Sequence, residues 1–488
     1  MTPLDLAYAR LDASWGKAAE AALVSLARER YGARWDKRLQ VRANGDLAEG
    51  KAPYAALIPA GQPGSGPYGG MSLAIFPSTE GPALVSLVVG TNGLEPDEQA
   101  LGRPGHARKT AAIARWVNGL LGAQRAWAKR DPVRIDQGIP KGLTKNLEAW
   151  EAAVEKYGNV IYAFTVPPAE RTSETDATVA DAIHAYADLL AGERDLEPLK
   201  PAQADSLRLQ NGWLSHVLPR TTAVEVAQLL QDRRFVVVEG PPGTGKSRMA
   251  RSLLRSVYEG NGNTIQFHPG TTYESFVGGL APTTDTTGGV FHFAPRGGAL
   301  LDAVVAARAS PGKPYLLHID EINRADLAKV LGEAIYLFER DESDREVTLA
   351  HEFKSIGSKL SLPPNLHVLG TMNSADRSIA ILDVAVRRRF AFVPVWPDPQ
   401  VLEDEKASDH MKEAFRRLLS IFLEEATDDA FQLMPGHSYF LDAKTPTLAL
   451  LQHSLKPLLR EYLAQGYVGG FTDQIRAYID WLDTRAPA

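Results

Sequence analysis

The chain has 488 residues, 44% hydrophobic and 23% charged, with a formal net charge of −6 and no cysteine. That length leaves room for about three domains, and the composition is that of ordinary globular protein rather than a disordered or fibrous chain. The mild acidity excludes a surface coated in nucleic acid while allowing a local basic patch, and the missing cysteines exclude disulfides and thiolate chemistry.

The start, MTPLDLAYARLDASW, is acidic and amphipathic, unlike a signal peptide, and no apolar run approaches the ~18 residues of a membrane span. A cytoplasmic protein of bacterial type, with no membrane partner, is expected. Residues 1–195 predict a separate α+β unit. MTPLDLAYARL and AALVSLARERYG read as helix, then APYAALIP, MSLAIFP and ALVSLVVG as short strands between turns such as GQPGSGPYGG. In KTAAIARWVNGLLGAQRAW the residues Ile113, Trp116, Val117, Leu120 and Leu121 recur at helical spacing. NVIYAFTVP then reads as strand and DATVADAIHAYADLLAGE as helix. Between 101 and 145 lie ten Lys/Arg against Asp131 and Asp136, with Trp116 and Trp127 interleaved. Such a tract either attracts a DNA backbone or is the solvated face of a helix whose tryptophans lie in the core.

The Pro-containing, polar EPLKPAQADS predicts a linker, with residues 196–215 forming linker and helical lead-in to a second unit over 216–396. That unit opens on the apolar run Phe235-Val236-Val237-Val238, followed by GPPGTGKS and the helix-like RMARSLLRSVY. Gly240, Gly243 and Gly245, with Pro241, Pro242 and Thr244 between them, let successive N–H groups turn toward phosphates at a helix N-terminus. Lys246 is expected to reach the β/γ-phosphates of a nucleotide and Ser247 to ligate Mg²⁺. PTTDTTGGVFHFAPRGGAL predicts an inserted hairpin. The β-rich Tyr315–Ile319 run ends in Asp320-Glu321, which puts one carboxylate at the Mg²⁺ shell (Asp320) and one at the attacking water (Glu321). Leu366–Gly370 is a further strand, and TMNSADRS after it brings Asn373 to the same sheet edge. Asn323, Arg324, Asp326, Asp376 and Arg377 crowd that edge, either linking subunits or capping helices.

These strings, GPPGTGKS, HIDEINRADLAKVLGEAIYLFERD, GTMNSADRS and DVAVRRRF in this order, resemble the AAA+ NTPases of the McrB type, motor subunits of modification-dependent restriction systems. The resemblance spans roughly 220–440 and implies an α/β P-loop AAA+ core, a parallel sheet flanked by helices, with a helical lid over 397–488, preceded by the α+β N-terminal domain. It makes Asp320 and Glu321 the Walker B pair, Asn373 sensor 1, and one of Arg387, Arg388 and Arg389 an arginine finger. Ser374 stands where the family string has threonine, which keeps the hydroxyl. GHSYF at 436–440 resembles a string in the family's lid, and 1–195 resembles, more faintly, the domain in front of many such modules.

Three adjacent guanidiniums call for several carboxylates if all are to pair within one subunit, and arginine suits a transferring phosphoryl group; the alternative is a solvated or paired cluster. A finger acting in trans makes activity depend on assembly. The resemblance further implies a homo-oligomer in the form of a hexameric ring, DNA contact through the N-terminal domain, and cleavage by a separate McrC-like nuclease. The chain itself shows no nuclease constellation, and His106, His268, His292 and His437 lack metal-ligand spacing. The family favours GTP over ATP, although no NKxD-like string occurs here. A MoxR-like ATPase that remodels protein partners is the rival reading, and a regulatory nucleotide-binding module is a third.

Overall fold

The computed structural model describes every residue except 47, 49–50, 92–97, 123, 285–290, 340–343, 376–383, 442–448 and 486–488. The chain divides into two compact units, Met1–Leu218 with Leu423–Thr427, and Pro219–Phe422 with Asp428–Ala488.

In the first unit β1 (Leu39–Asn44), β2 (Tyr54–Pro59), β3 (Met71–Phe76), β4 (Leu84–Val89), β5 (Ala126–Ala128) and β6 (Ile161–Thr165) form one antiparallel sheet in the order β1-β2-β3-β4-β6-β5. MSLAIF and LVSLVV are buried at every position, which is why they are apolar on both faces rather than alternating. Their two serines are buried with them, and the Ser72 hydroxyl donates to the Val88 carbonyl at 3.2 Å. Helices Trp15–Tyr31, Pro104–Leu121 and Ser173–Gly192 belong to this unit.

The stretch expected as linker and lead-in is structured otherwise. Lys200–Leu214 is a helix of the first unit, with a proline in its first turn, where the ring removes no helical hydrogen bond. Its Asp205 pairs with the buried Arg30 at 2.9 Å, its Arg208 with Asp181 at 2.6 Å, and Trp116 lies against Gly212.

The second unit is built on five parallel strands: β7 (Phe235–Gly240), β8 (Gly262–Gln266), β11 (Tyr315–Asp320), β14 (Leu366–Asn373) and β15 (Ala391–Pro394), in the order β15-β7-β14-β11-β8. Alternation along β7 sorts the layers: Phe235 and Val237 join the core under helix Ala299–Ala309, whereas Val236 and Val238 join that under helices Ala223–Arg233 and Lys246–Ser256. Two hairpins extend the unit, β9 (Gly278–Thr284) with β10 (Phe291–Gly297) as the sequence predicts, and β12 (Val347–Phe353) with β13 (Gly357–Leu360). The tip of the first, 285–290, lies outside the described residues. From Pro399 onward the described elements are helical, as expected for the lid. Among the described residues no helix is long and apolar enough to cross a membrane.

Candidate active site

The parallel sheet brings the tips of β7, β11 and β14 together. Asn373 stands in register with Gly240, and β11 pairs with β14 up to Ile319, immediately before Asp320. Between β7 and helix Lys246–Ser256 the loop passes through left-handed backbone at Gly243 (φ 81°) and Gly245 (φ 83°), which glycine alone adopts without strain. At Gly240 the constraint is proximity, since a Cβ there would stand 2.1 Å from the Val395 carbonyl oxygen. Thr244 closes the turn by donating to the Pro241 carbonyl at 3.0 Å.

Lys246 is 7% exposed and donates to the Gly240 and Pro241 carbonyls at 2.9 and 2.7 Å. Burial pulls its pKa down to about 8, against the opposing pull of Glu321 and Asp320. Ser247 donates to Asp320 Oδ1 at 2.8 Å, and the Thr371 hydroxyl donates to the same oxygen. Glu321 has φ 56°, a left-handed backbone unusual for a residue with a side chain. Its carboxylate is held at both ends, Oε1 by Asn373 Nδ2 at 2.9 Å and Oε2 by Arg324 Nε at 3.3 Å. Asn323 donates to the Asn373 carbonyl at 3.4 Å, and Asp326 caps the helix Leu327–Leu331. Asp376 and Arg377 lie outside the described residues.

The walls enclose a cavity of about 330 Å³ that contains Pro242, Gly243, Gly245, Lys246, Ser247, Asp320, Glu321 and Asn373, all expected from the sequence. Arg248, Arg251, Thr371, Met372 and Ser438 also line it. Thr371 was legible in principle, being two residues before Asn373 on the same strand face. Ser247 and Asp320 offer hard oxygen donors side by side, a set that fits Mg²⁺. Behind Asp320, the buried His318 ring is pushed toward its neutral form by burial.

The arginine run is not part of this cavity. Glu339 lies 3.3 Å from Arg389 and 3.9 Å from Arg388. Arg387 stacks over Phe392 at 5.1 Å. Arg389 has a side chain only 7% exposed, while that of Arg388 is 66% exposed.

The basic tract of the first unit is largely engaged by its own chain. Lys109 is buried and ion-paired with Glu424, and Arg108 donates to the Leu423 and Ala426 carbonyls. Lys129 is buried on the Arg134 and Asn159 carbonyls, Arg115 reaches His216 O at 2.9 Å, and Arg134 pairs with Asp136 at 3.0 Å. Trp116 lies in the core. Arg130, Lys141 and Lys145 stay exposed. Of the four histidines, His106 meets Tyr162 and His268 accepts from Gly270, and among the described residues no three His, Asp or Glu side chains are grouped so as to hold a metal ion.

Comparison with known proteins adds an outside view. Residues 235–390 match the AAA domain of the dynein-related subfamily. The chain is 29% identical over 356 residues to the type IV methyl-directed restriction enzyme EcoKMcrB subunit of Escherichia coli, covering 67% of this chain and 76% of that protein. It is 28% identical over 189 residues to the BsuMI component YdiS, of a type II restriction enzyme of Bacillus subtilis, covering 32% of this chain and 55% of that one.

Proposed function

We propose that this chain, an AAA+ NTPase of the McrB type, hydrolyses GTP or ATP with Mg²⁺ and serves as the ring-forming motor of a restriction system. The carrying observation is the convergence of Lys246, the Ser247–Asp320 pair and the Asn373–Glu321 pair on one cavity behind a glycine loop. Ser247 and Asp320 would hold Mg²⁺, which would supply neutralisation of the phosphate charge. Loop N–H groups and Lys246 hold the β- and γ-phosphates. Glu321 accepts a proton from the attacking water, and Asn373 aims its carboxylate by fixing Oε1. Arg388, whose side chain is exposed, reaches a neighbouring subunit's phosphates, so the ring, of hexameric size, is part of the catalyst.

The preference for GTP rests on the likeness to McrB alone. By the same likeness the first unit recognises DNA and a McrC-like nuclease cuts it. The domain limits follow the two compact units, 1–218 and 219–488, except for 423–427. The protein-remodelling alternative has one observation in its favour, the internal engagement of the basic tract. Steady-state hydrolysis of GTP and ATP by the native chain and by Glu321→Gln tests the reading. The variant is expected to bind nucleotide and assemble normally while turnover falls roughly 10²–10⁴-fold; native turnover in Glu321→Gln removes that residue from the role. Low-salt DNA binding by the full chain, falling as salt rises, separates the motor from the remodelling rival.

A further inference from the structure

The turn GHSYF lies on the phosphate loop itself. Gly436 N–H donates to the Pro242 carbonyl at 2.9 Å and Ser438 N–H to the Gly243 carbonyl at 3.0 Å. A Cβ on Gly436 would stand 2.1 Å from the Gly243 carbonyl carbon and oxygen and 2.4 Å from Thr244 N, so only glycine permits the approach. Conversely, a Cβ on Gly243 would meet Ser438 Oγ at 2.7 Å and the Tyr439 ring at 2.8 Å.

His437 is buried and its Nδ1 accepts the Asp398 N–H at 3.1 Å, which leaves Nε2 to carry the proton of the neutral ring. That Nε2 stands 3.6 Å from the position of a Cβ on Gly245. Asp398 is itself fixed, capping Gln400 N–H at 2.9 Å and pairing with Arg220 at 3.0 Å. A second tie from the same part of the chain runs to the β14 tip, where Ser374 N–H donates to Gly240 O at 3.0 Å and Ser374 Oγ to Gln432 O at 3.1 Å. The exposed Ser438 hydroxyl shares the cavity with Lys246, Ser247 and Asp320.

A loop that aims its N–H groups inward must turn carbonyls outward, and those carbonyls need donors of their own. We propose that the 436–439 turn is the second half of the phosphate site: a strap that caps the Pro242 and Gly243 carbonyls, with Ser438 Oγ as a further nucleotide-phosphate donor and His437 as the residue positioning the strap on Gly245. The strap holds Gly243 in its left-handed conformation before nucleotide arrives, so preorganisation is expressed as affinity. The proposal rests on the nucleotide reading of the cavity.

The test is equilibrium binding of fluorescent GTP and ATP analogues, with Mg²⁺, to the full chain, alongside its melting temperature without nucleotide. Ser438→Ala should weaken binding about tenfold, the size of one hydrogen bond to a charged group, with the melting temperature unmoved and Ser438→Thr restoring affinity. Gly436→Ala should weaken it further, and His437→Leu should weaken it with His437→Asn restoring it. Lys246→Ala is the control. If Ser438→Ala and His437→Leu bind like the native chain while Lys246→Ala does not, the strap is overturned and the nucleotide reading stands. If Lys246→Ala also binds like the native chain, both fall.

Discussion

The proposed phosphate site of the second unit and the basic tract of the first are both concentrations of charge that a sequence displays openly, yet they behave in opposite ways. At the site, Asp320 and Glu321 at the end of β11, Asn373 at the end of β14 and Lys246 at the start of the helix that follows β7 meet around one cavity. In the tract, Lys109, Arg108, Arg115 and Lys129 turn to carboxylates and carbonyls of their own unit. The difference lies in what fixes position. A residue at the end of a buried strand is placed by the sheet, whereas a cation along a helix is placed by whichever acceptor lies within reach of its flexible stem.

The sharpest way to break this contrast is at the arginine run, which has features of both regions. Arg388→Ala should lower turnover roughly 10³-fold without lowering the melting temperature, and mixing it with a Lys246→Ala chain should restore part of the activity at mixed interfaces. Arg389→Ala should instead destabilise the fold, since its side chain is buried against Glu339. A monomer whose turnover is independent of concentration sinks the trans assignment.

Asn373→Ala comes next. It frees one end of Glu321 and should cost roughly 10²-fold in turnover, yet add little in a Glu321→Gln background, where there is no base left to aim. Additive losses in that double mutant would show that Asn373 acts independently of Glu321.

Lys246 gives a pH signature. Its pKa in the free protein is about 8, and a bound triphosphate raises it, so binding above that pH takes up a proton. Affinity should therefore be full below pH 8 and fall as pH rises through 8, by at most about tenfold per unit. A flat profile of dissociation constant across this range contradicts the assignment.

The smallest effect belongs to the tract. Reversing the exposed Arg130, Lys141 and Lys145 should lower DNA affinity only a few-fold and make its salt dependence shallower, by up to about one in slope for each phosphate no longer neutralised. Lys109→Ala should lower the melting temperature, because it leaves Glu424 without its partner. A large loss of DNA binding on replacing Lys109 with stability intact would restore the tract as an interface.

What the sequence disclosed follows the same division. GPPGTGKS was legible because its glycines answer a backbone requirement, and the strand-terminal Asp320 and Glu321 because an apolar run announces where it ends. The β12–β13 hairpin was not, since VTLAHEF mixes polar residues into a short irregular ladder. Nor was β5, three residues that follow closely on an amphipathic helix. EPLKPAQADS reads as linker until its proline is placed in a helix's first turn. Pairing of Arg388 and Arg389 with Glu339 depends on a distant loop and has no local signal.

The left-handed backbone of Glu321 bears on how this protein responds to selection. A side chain in that conformation costs roughly 1–2 kcal/mol relative to glycine, so the fold alone would prefer Glu321→Gly. A library screened only for heat resistance should therefore enrich glycine or asparagine at 321 and lose turnover as it gains stability. Position 321 is where thermostability and chemistry pull the chain toward different amino acids, and the glutamate marks which requirement has prevailed.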